Sequence, residues 1–247
     1  MLNRRHLLMG AAGAGLLAGC GTLAGAPGVP GGATRDQARA LYDALSEQVL
    51  VASPIGATGL GLDTGAHAAL KSQIDSRTYA DRLNVLKPLA EGRAALARID
   101  AGTLSGRDRS DYDTVQWMAG MAGEIAAFPF GGVDSYMYPC PYVISQLTGL
   151  YQSVPDFLDN QHSIATAADA EAYLARLQGF AEGLGHEAER ARADASDHRI
   201  LPPDFIMDKA LTQVRALRGN LEAMLVQPLV RKTGAAGVAG DWSGRAG

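Results

Sequence analysis

The chain has 247 residues, of which 47% are hydrophobic and 19% charged, a composition that supports a buried core and argues against intrinsic disorder. Its formal net charge is −4 and it has no basic run, which argues against binding nucleic acid through phosphate neutralisation. Two cysteines exclude a disulfide-rich scaffold and a four-cysteine zinc site, and five histidines set a low ceiling on histidine-based metal chemistry.

In chain order, the first feature is an export signal. Arg4 and Arg5 precede a charge-free apolar stretch, Leu7 to Leu17. That stretch is about half the length of a bilayer-spanning helix and fits a signal-peptide core. The arginine pair has twin-arginine form, although Asn3 precedes it and no Phe follows, so general secretion is the alternative route. Leu17-Ala18-Gly19-Cys20 resembles a lipobox, in which small residues let a peptidase cleave before a cysteine that carries lipid. Residues 1–19 then form the signal peptide, and acyl chains on Cys20 anchor the protein to a membrane without a transmembrane helix. A conventional cleavage site beside a small apolar cysteine is the alternative. The expected location is the cell envelope, exported and membrane-anchored on the periplasmic side. Residues 20–33 are rich in Gly and Pro and read as a tether.

From residue 34 onward the pattern is helical. Thr34-x-x-Gln37 has capping-box form, and Ala38, Leu41, Leu45 and Val49 follow at helical spacing up to Ser53-Pro54. Residues 56–65 are Gly-rich; no Lys-Ser/Thr follows and no strand precedes, so they read as a loop and not a phosphate cradle. Residues 75–100 carry two apolar registers, with Pro88 between them predicting a kink or break. After a turn at Gly102–Gly106, Ser110 and Asp113 resemble a helix start, and Val115, Met118, Ala122 and Ile125 share one face. Residues 128–145 contain three prolines and Gly131-Gly132, which rule out continuous helix, and Tyr136, Tyr138 and Tyr142 cluster there. Such a segment either lines a ligand site or packs as a connector between helices. Helical stripes resume at 167–195 and at 204–226, the latter started by Pro202-Pro203-Asp204. Each stripe needs neighbours to cover it, so the predicted fold is all-α, a helical array or bundle over residues 34–247 with one irregular aromatic-rich segment.

The spacing of polar residues yields no active site. His186-Glu187-Ala188-Glu189-Arg190 begins like a zinc motif, but Arg190 stands where the second histidine is needed, and the stretch reads as a solvated helix face. Asp156, Asp159 and His162 share a helical spacing and read as capping or hydrogen-bonding residues. Cys140, between two prolines, reads as a buried thiol. No G-x-S-x-G elbow or dinucleotide fingerprint is present. No catalytic residue and no metal ligand is therefore assigned.

The segment Pro141-Tyr142-Val143-Ile144-Ser145-Gln146-Leu147-Thr148-Gly149-Leu150-Tyr151-Gln152 resembles a large bacterial family catalogued as domain of unknown function 885. The likeness continues through Pro155-Asp156-Phe157-Leu158, Gln161-His162-Ser163-Ile164, Ala170 to Leu177 and Pro202-Pro203-Asp204-Phe205-Ile206, with Ser163 where the family favours Pro. It implies an exported, largely helical, metallopeptidase-like hydrolase with zinc as cofactor. Members are typically more than twice this long and carry their paired-histidine zinc motif in the C-terminal half. None of the histidines here matches it. The resemblance therefore implies the N-terminal part of such a protein, without its zinc motif and inactive alone, whose full-length form takes a peptide-like substrate. Tyr142, Gln146, Tyr151 and His162 are then candidate substrate-groove residues. The chain end agrees with this reading, because Asp241-Trp242 looks like the start of a helix with too few residues left to complete it. The alternative is a stand-alone, lipid-anchored helical binding module of the envelope.

The signal predicts a processed lipoprotein. Intact-mass measurement of the membrane fraction should show loss of residues 1–19 and added acyl mass on Cys20; a soluble product with Cys20 unmodified would reject lipidation.

Overall fold

The computed structural model describes residues 31–133, 138–197 and 200–247. The signal peptide, Cys20, most of the tether and Tyr136 lie outside the described residues. The described chain is predominantly helical, as the periodicity predicts: α1 (Gly31–Ala52), α2 (Pro54–Gly59), α3 (Lys87–Leu96), α4 (Gly106–Ala126), α5 (Leu150–Asn160), α6 (Ala167–Asp197), α7 (Asp204–Gly219), α8 (Gln227–Ala236) and α9 (Trp242–Ala246). Strand is limited to two residues each in β1 (Gly132–Val133) and β2 (Pro139–Cys140), paired antiparallel with Gly132 opposite Cys140.

Several boundaries differ from the sequence reading. Helix α1 begins at Gly31, inside the expected tether, and Thr34 is buried in its first turn instead of capping it. The start of the Gly-rich stretch is helical: the Ser53 hydroxyl accepts the Gly56 N–H at 3.3 Å, and Pro54 opens α2 as a first-turn proline. Pro88 likewise starts α3 rather than kinking a longer helix; residues 79–86 before it are consecutive turns. Helix α4 starts at Gly106, ahead of Ser110. The stripe expected to run through 204–226 breaks at Asn220, after which a π-helical turn, Glu222–Val226, leads into α8. At the C-terminal end α9 is formed, contrary to the expectation of an unfinished helix. Asp241 caps it by accepting the Gly244 N–H at 2.9 Å, Trp242 is buried, and Arg245 pairs with Glu171 of α6 at 2.5 and 2.6 Å. Tertiary packing holds a helix too short to stand alone.

The helices enclose two apolar cores. One gathers Leu45 of α1, Leu89 and Leu96 of α3, and Ala119 and Ala122 of α4. The other gathers Leu150, Val154 and Leu158 of α5, Tyr173 and Phe180 of α6, and Leu229 of α8. Helices α5 and α6 approach so closely that a Cβ on Gly183 would overlap the Leu150 side chain. Here glycine is required for space, not for its backbone freedom.

Arg176 ties α6 to the N-terminal segments. It is fully buried. Its Nε donates to the Gln73 carbonyl at 2.9 Å, and Nη2 donates to the Leu70 carbonyl at 3.1 Å and the Thr58 hydroxyl at 2.5 Å. Nη1 donates to His162 Nδ1 at 2.7 Å, and the guanidinium lies 4.7 Å from the Phe157 ring centre. One side chain thereby joins α6 to α2, to the 3-10 helix Gly65–Ser72 and to the α5–α6 connection. Replacing Arg176 by Met keeps the length but strands two buried carbonyls and a ring nitrogen. Arg176→Met should therefore lower the unfolding free energy by about 3–5 kcal/mol in urea titration. A loss below about 1 kcal/mol would show that the tie is dispensable.

Candidate functional site

The irregular segment between α4 and α5 owes its shape to α6. Glu187, Arg190 and Asp194 follow one face of that helix and are only 1%, 5% and 3% exposed. This corrects the solvated-face reading of His186–Arg190: only the flanking positions see solvent. The reason is that the segment brings its own backbone polar groups to meet the charges. Asp194 accepts the Gly131 N–H at 2.9 Å, Arg190 Nη2 donates to the Gly131 carbonyl at 2.8 Å, and Glu187 accepts the Leu150 N–H at 2.8 Å. Gly149, which precedes Leu150, has φ +111°, and a Cβ there would crowd the Tyr151 ring at 3.2 Å. The start of α5 can therefore reach Glu187 only through a glycine.

The far edge is held from the other side. Tyr79 donates to the Pro129 carbonyl at 2.6 Å and Arg82 to the Phe128 carbonyl at 3.3 Å. Within the segment, Ser145 Oγ accepts the N–H groups of Leu147 and Thr148, both at 3.1 Å, closing a tight turn. Between this turn, β1 and α6 lies a cavity of about 140 Å³, lined by Arg77, Val133, Val143, Thr148, Glu187 and Arg190 among others.

Burial pushes the Glu187 carboxyl upward, against the favourable charges of Arg77 and Arg190 and the Leu150 N–H. The same burial, with Arg77 as a like charge, pushes Arg190 downward. Their pairing is incomplete: Arg77 Nε stands 3.7 Å from Glu187 Oε1, beyond hydrogen-bond length. Among the described residues, Nε of Arg77, Arg82 and Arg190 and Oδ1 of Asp194 are buried without a hydrogen-bond partner.

The four sequence-predicted groove residues do not converge on this cavity. Tyr142 and Gln146 are half-buried in the same turn, and Gln146 Oε1 is buried without a partner among the described residues. Their neighbours Val143, Leu147 and Thr148 are the ones that line the cavity. Tyr151 is buried, with its hydroxyl 2.6 Å from the Ser145 carbonyl and 2.8 Å from the Gln213 side chain. His162 is fully buried at the Arg176 tie. Asp156, Asp159 and His162 also separate: Asp156 accepts from Asn160, Asp159 pairs with Arg231, and His162 faces Arg176. Cys140 is half-buried, with its Sγ 3.5 Å from the Tyr138 carbonyl.

Among the described residues no group of three or more His, Cys, Asp or Glu side chains is placed to hold a metal ion. Glu187 could offer a ligand oxygen, but Arg77 and Arg190 beside it would repel a cation. The donor set does not fit zinc.

A family model for bacterial proteins of unknown function, DUF885, matches residues 54–243. The chain belongs to this family. The match spans the residues of the cavity, the Arg176 tie and α6 to α8. No curated protein matches the sequence. A solved structure, the "putative lipoprotein from Colwellia psychrerythraea", superposes with TM-score 0.63 at 22% identity, over 80% of this chain and 33% of that one. The likeness shows a shared fold. The chain spans about a third of the length of the solved protein it matches.

His162 supplies a pH prediction. Arg176 donates to Nδ1, so the proton sits on Nε2, which donates to the Asp169 carbonyl at 2.9 Å. Burial, reinforced by Arg176, Lys71 and Lys232, pushes this imidazole down to about 4. Above the ordinary value of about 6.5 the ring is neutral in both folded and unfolded chains. As pH falls from about 6.5 to 4, only the unfolded chain takes the proton, and folding should lose about 3 kcal/mol. Urea unfolding of wild type and His162→Gln from pH 8 to pH 4 should give a difference curve that is flat above pH 7 and falls below it. A difference that does not change with pH would remove His162 from the balance.

Proposed function

We propose that this chain is the N-terminal portion of an exported, lipid-anchored, metallopeptidase-like hydrolase of the cell envelope, contributing groove walls while catalytic residues come from elsewhere in the protein. The observation that carries the reading is the uncovered apolar face of α7. Leu211 and Val214 lie one turn apart at 44% and 38% exposure, and Leu221 and Met224 continue beyond the break at 46% and 40%. Of α7 itself only Ala210 and Leu217 are buried. The stripe of α6, by contrast, is largely covered, with Ala170, Tyr173 and Phe180 buried and Leu174, Leu177 and Leu184 packed against them.

An amphipathic helix with half of its apolar stripe in water fits a surface that another part of the fold covers. The solved relative has twice as much chain again beyond the matched third, which is the occupant we assign to this face. The exposed apolar surface lies on α7 and at Leu147, while the groove candidate Tyr151 turns inward. The envelope location rests on the Arg4-to-Cys20 signal and on the description of the Colwellia protein as a lipoprotein. No helix of the described residues is long and apolar enough to cross a membrane.

One observation favours the second reading, a self-contained binding module: α9 folds back, buries Trp242 and pairs Arg245 with Glu171, closing the end of the C-terminal core. Two measurements separate the readings. As a portion of a hydrolase, the purified chain should bind a hydrophobic dye and self-associate. Leu211→Lys with Val214→Lys should abolish both without loss of helix. The chain alone, given excess zinc and mixed peptides, should show no chelator-sensitive hydrolysis. A stable monomer that ignores the dye would favour the module, and chelator-sensitive activity lost in His186→Ala would place a catalytic zinc site where none is expected.

A further inference from the structure

The cavity beside α6 brings two guanidinium groups to one wall. Arg77 and Arg190 line it beside Glu187, and the charges of Asp75 on Arg77 and of Asp194 on Arg190 also act there. The adjoining cleft adds Arg82, and its two carboxylates are already engaged: Asp75 accepts from the Ser53 hydroxyl and the Ile55 N–H, and Asp81 from Ser76, Thr78 and Asn84. Asp194 directs one oxygen to the Gly131 amide and does not line the cavity. Arg190 is fixed in place by its Nη2 bond to the Gly131 carbonyl, which leaves Nε, on a side chain more than nine-tenths buried, without a partner among the described residues. Arg77 Nε also lacks a hydrogen bond among the described residues, standing 3.7 Å from Glu187 Oε1 as an ion pair. Buried guanidinium donors left unsatisfied are costly, and two of them at one cavity point to an acceptor from outside the chain.

We propose that this cavity is a carboxylate-binding site, in which Arg77 and Arg190 receive the carboxylate of a ligand with an apolar body. A guanidinium edge presents paired N–H groups in the geometry of a carboxylate. Glu187 in the wall is a like charge to any anion, so the site favours a monoanion over a phosphate dianion. Val133, Val143 and Leu147 supply an apolar wall for the rest of the ligand, and the hydroxyls of Thr148 and Ser153 lie on the rim. A volume of about 140 Å³ holds several waters and suits a chain terminus or a small acid, not a large cofactor. Gly132 is part of the construction, since a Cβ there would sit 2.8 Å from Arg190 Nη2 and force the guanidinium away. The proposal holds for either reading of the chain's wider function, because every residue it uses belongs to this chain.

Titration calorimetry of the full chain with N-acetyl-L-leucine, N-acetyl-L-leucinamide, the tripeptide Ala-Ala-Leu and inorganic phosphate tests it. The acid should bind at least tenfold more tightly than its amide, and more tightly than phosphate. Arg77→Gln should weaken the acid at least tenfold with helix content unchanged. Should Arg77→Gln fail to fold, Ser153→Phe, at an exposed position on the cavity rim, should block binding by bulk alone. A tripeptide that outbinds the acetylated amino acid identifies the ligand source as a peptide C-terminus, and equal binding identifies a free organic acid; both support the site. Equal affinity for acid and amide, tighter binding of phosphate, or an acid affinity that neither variant changes would overturn the proposal.

Discussion

Helix α6 carries four buried charges, Arg176, Glu187, Arg190 and Asp194, and the positions of its non-helical neighbours depend on them. A charge taken out of water must find hydrogen-bonding partners, and the cheapest ones here are backbone groups with no secondary structure of their own. Arg176 takes carbonyls at Leu70 and Gln73. Arg190 and Asp194 take the carbonyl and amide of Gly131, and Glu187 takes the amide that opens α5. The same bonds satisfy both partners: the helix needs them to bury its charges, and the segments need them to pass beside a core.

Polar ties run from α6 to α2, to the 3-10 helix Gly65–Ser72, to Gly131 beyond α4 and to the start of α5. Those ties are directional, so they fix how the cores are placed, whereas apolar contact alone would tolerate sliding. Where α6 offers no such tie, the structure is looser. Helix α7 is held by Ala210 and Leu217 and leaves the rest of its stripe in water.

The cavity follows from the same cause. The charges on α6 fix Gly131 and Leu150, and Val143, Leu147 and Thr148 between them line the cavity with Arg77 and Arg190. Sequence reading singled out this segment for its prolines, glycines and tyrosines, but chose the tyrosines as its working side chains. In the fold, Tyr151 turns inward to brace Ser145, and the residues around Tyr142 and Gln146 face the cavity instead. The arginines were missed because a charged residue on a helix is ordinarily solvated, and nothing local distinguishes Arg190 from Arg192 or Glu189. The spacing of Glu187, Arg190 and Asp194 along one face was a usable signal; a charged stripe opposite no apolar gap is uninformative, whereas this one continues the buried face of Tyr173, Arg176, Phe180 and Gly183.

The sequence by itself determined the helical class, most helix locations, the irregular segment and the family resemblance, because apolar periodicity, proline and glycine act over a few residues. It misread the start of α2 and the formation of α9, where a distant group acts as partner: Asp75 for the one and Glu171 for the other. Only the tertiary structure decided which charges are buried, that His162 is a strut within the core, and that the apolar face of α7 is left open. These depend on residues tens of positions apart meeting in a low-dielectric interior, and burial there changes the worth of a charge or a hydrogen bond by more than any local propensity can signal.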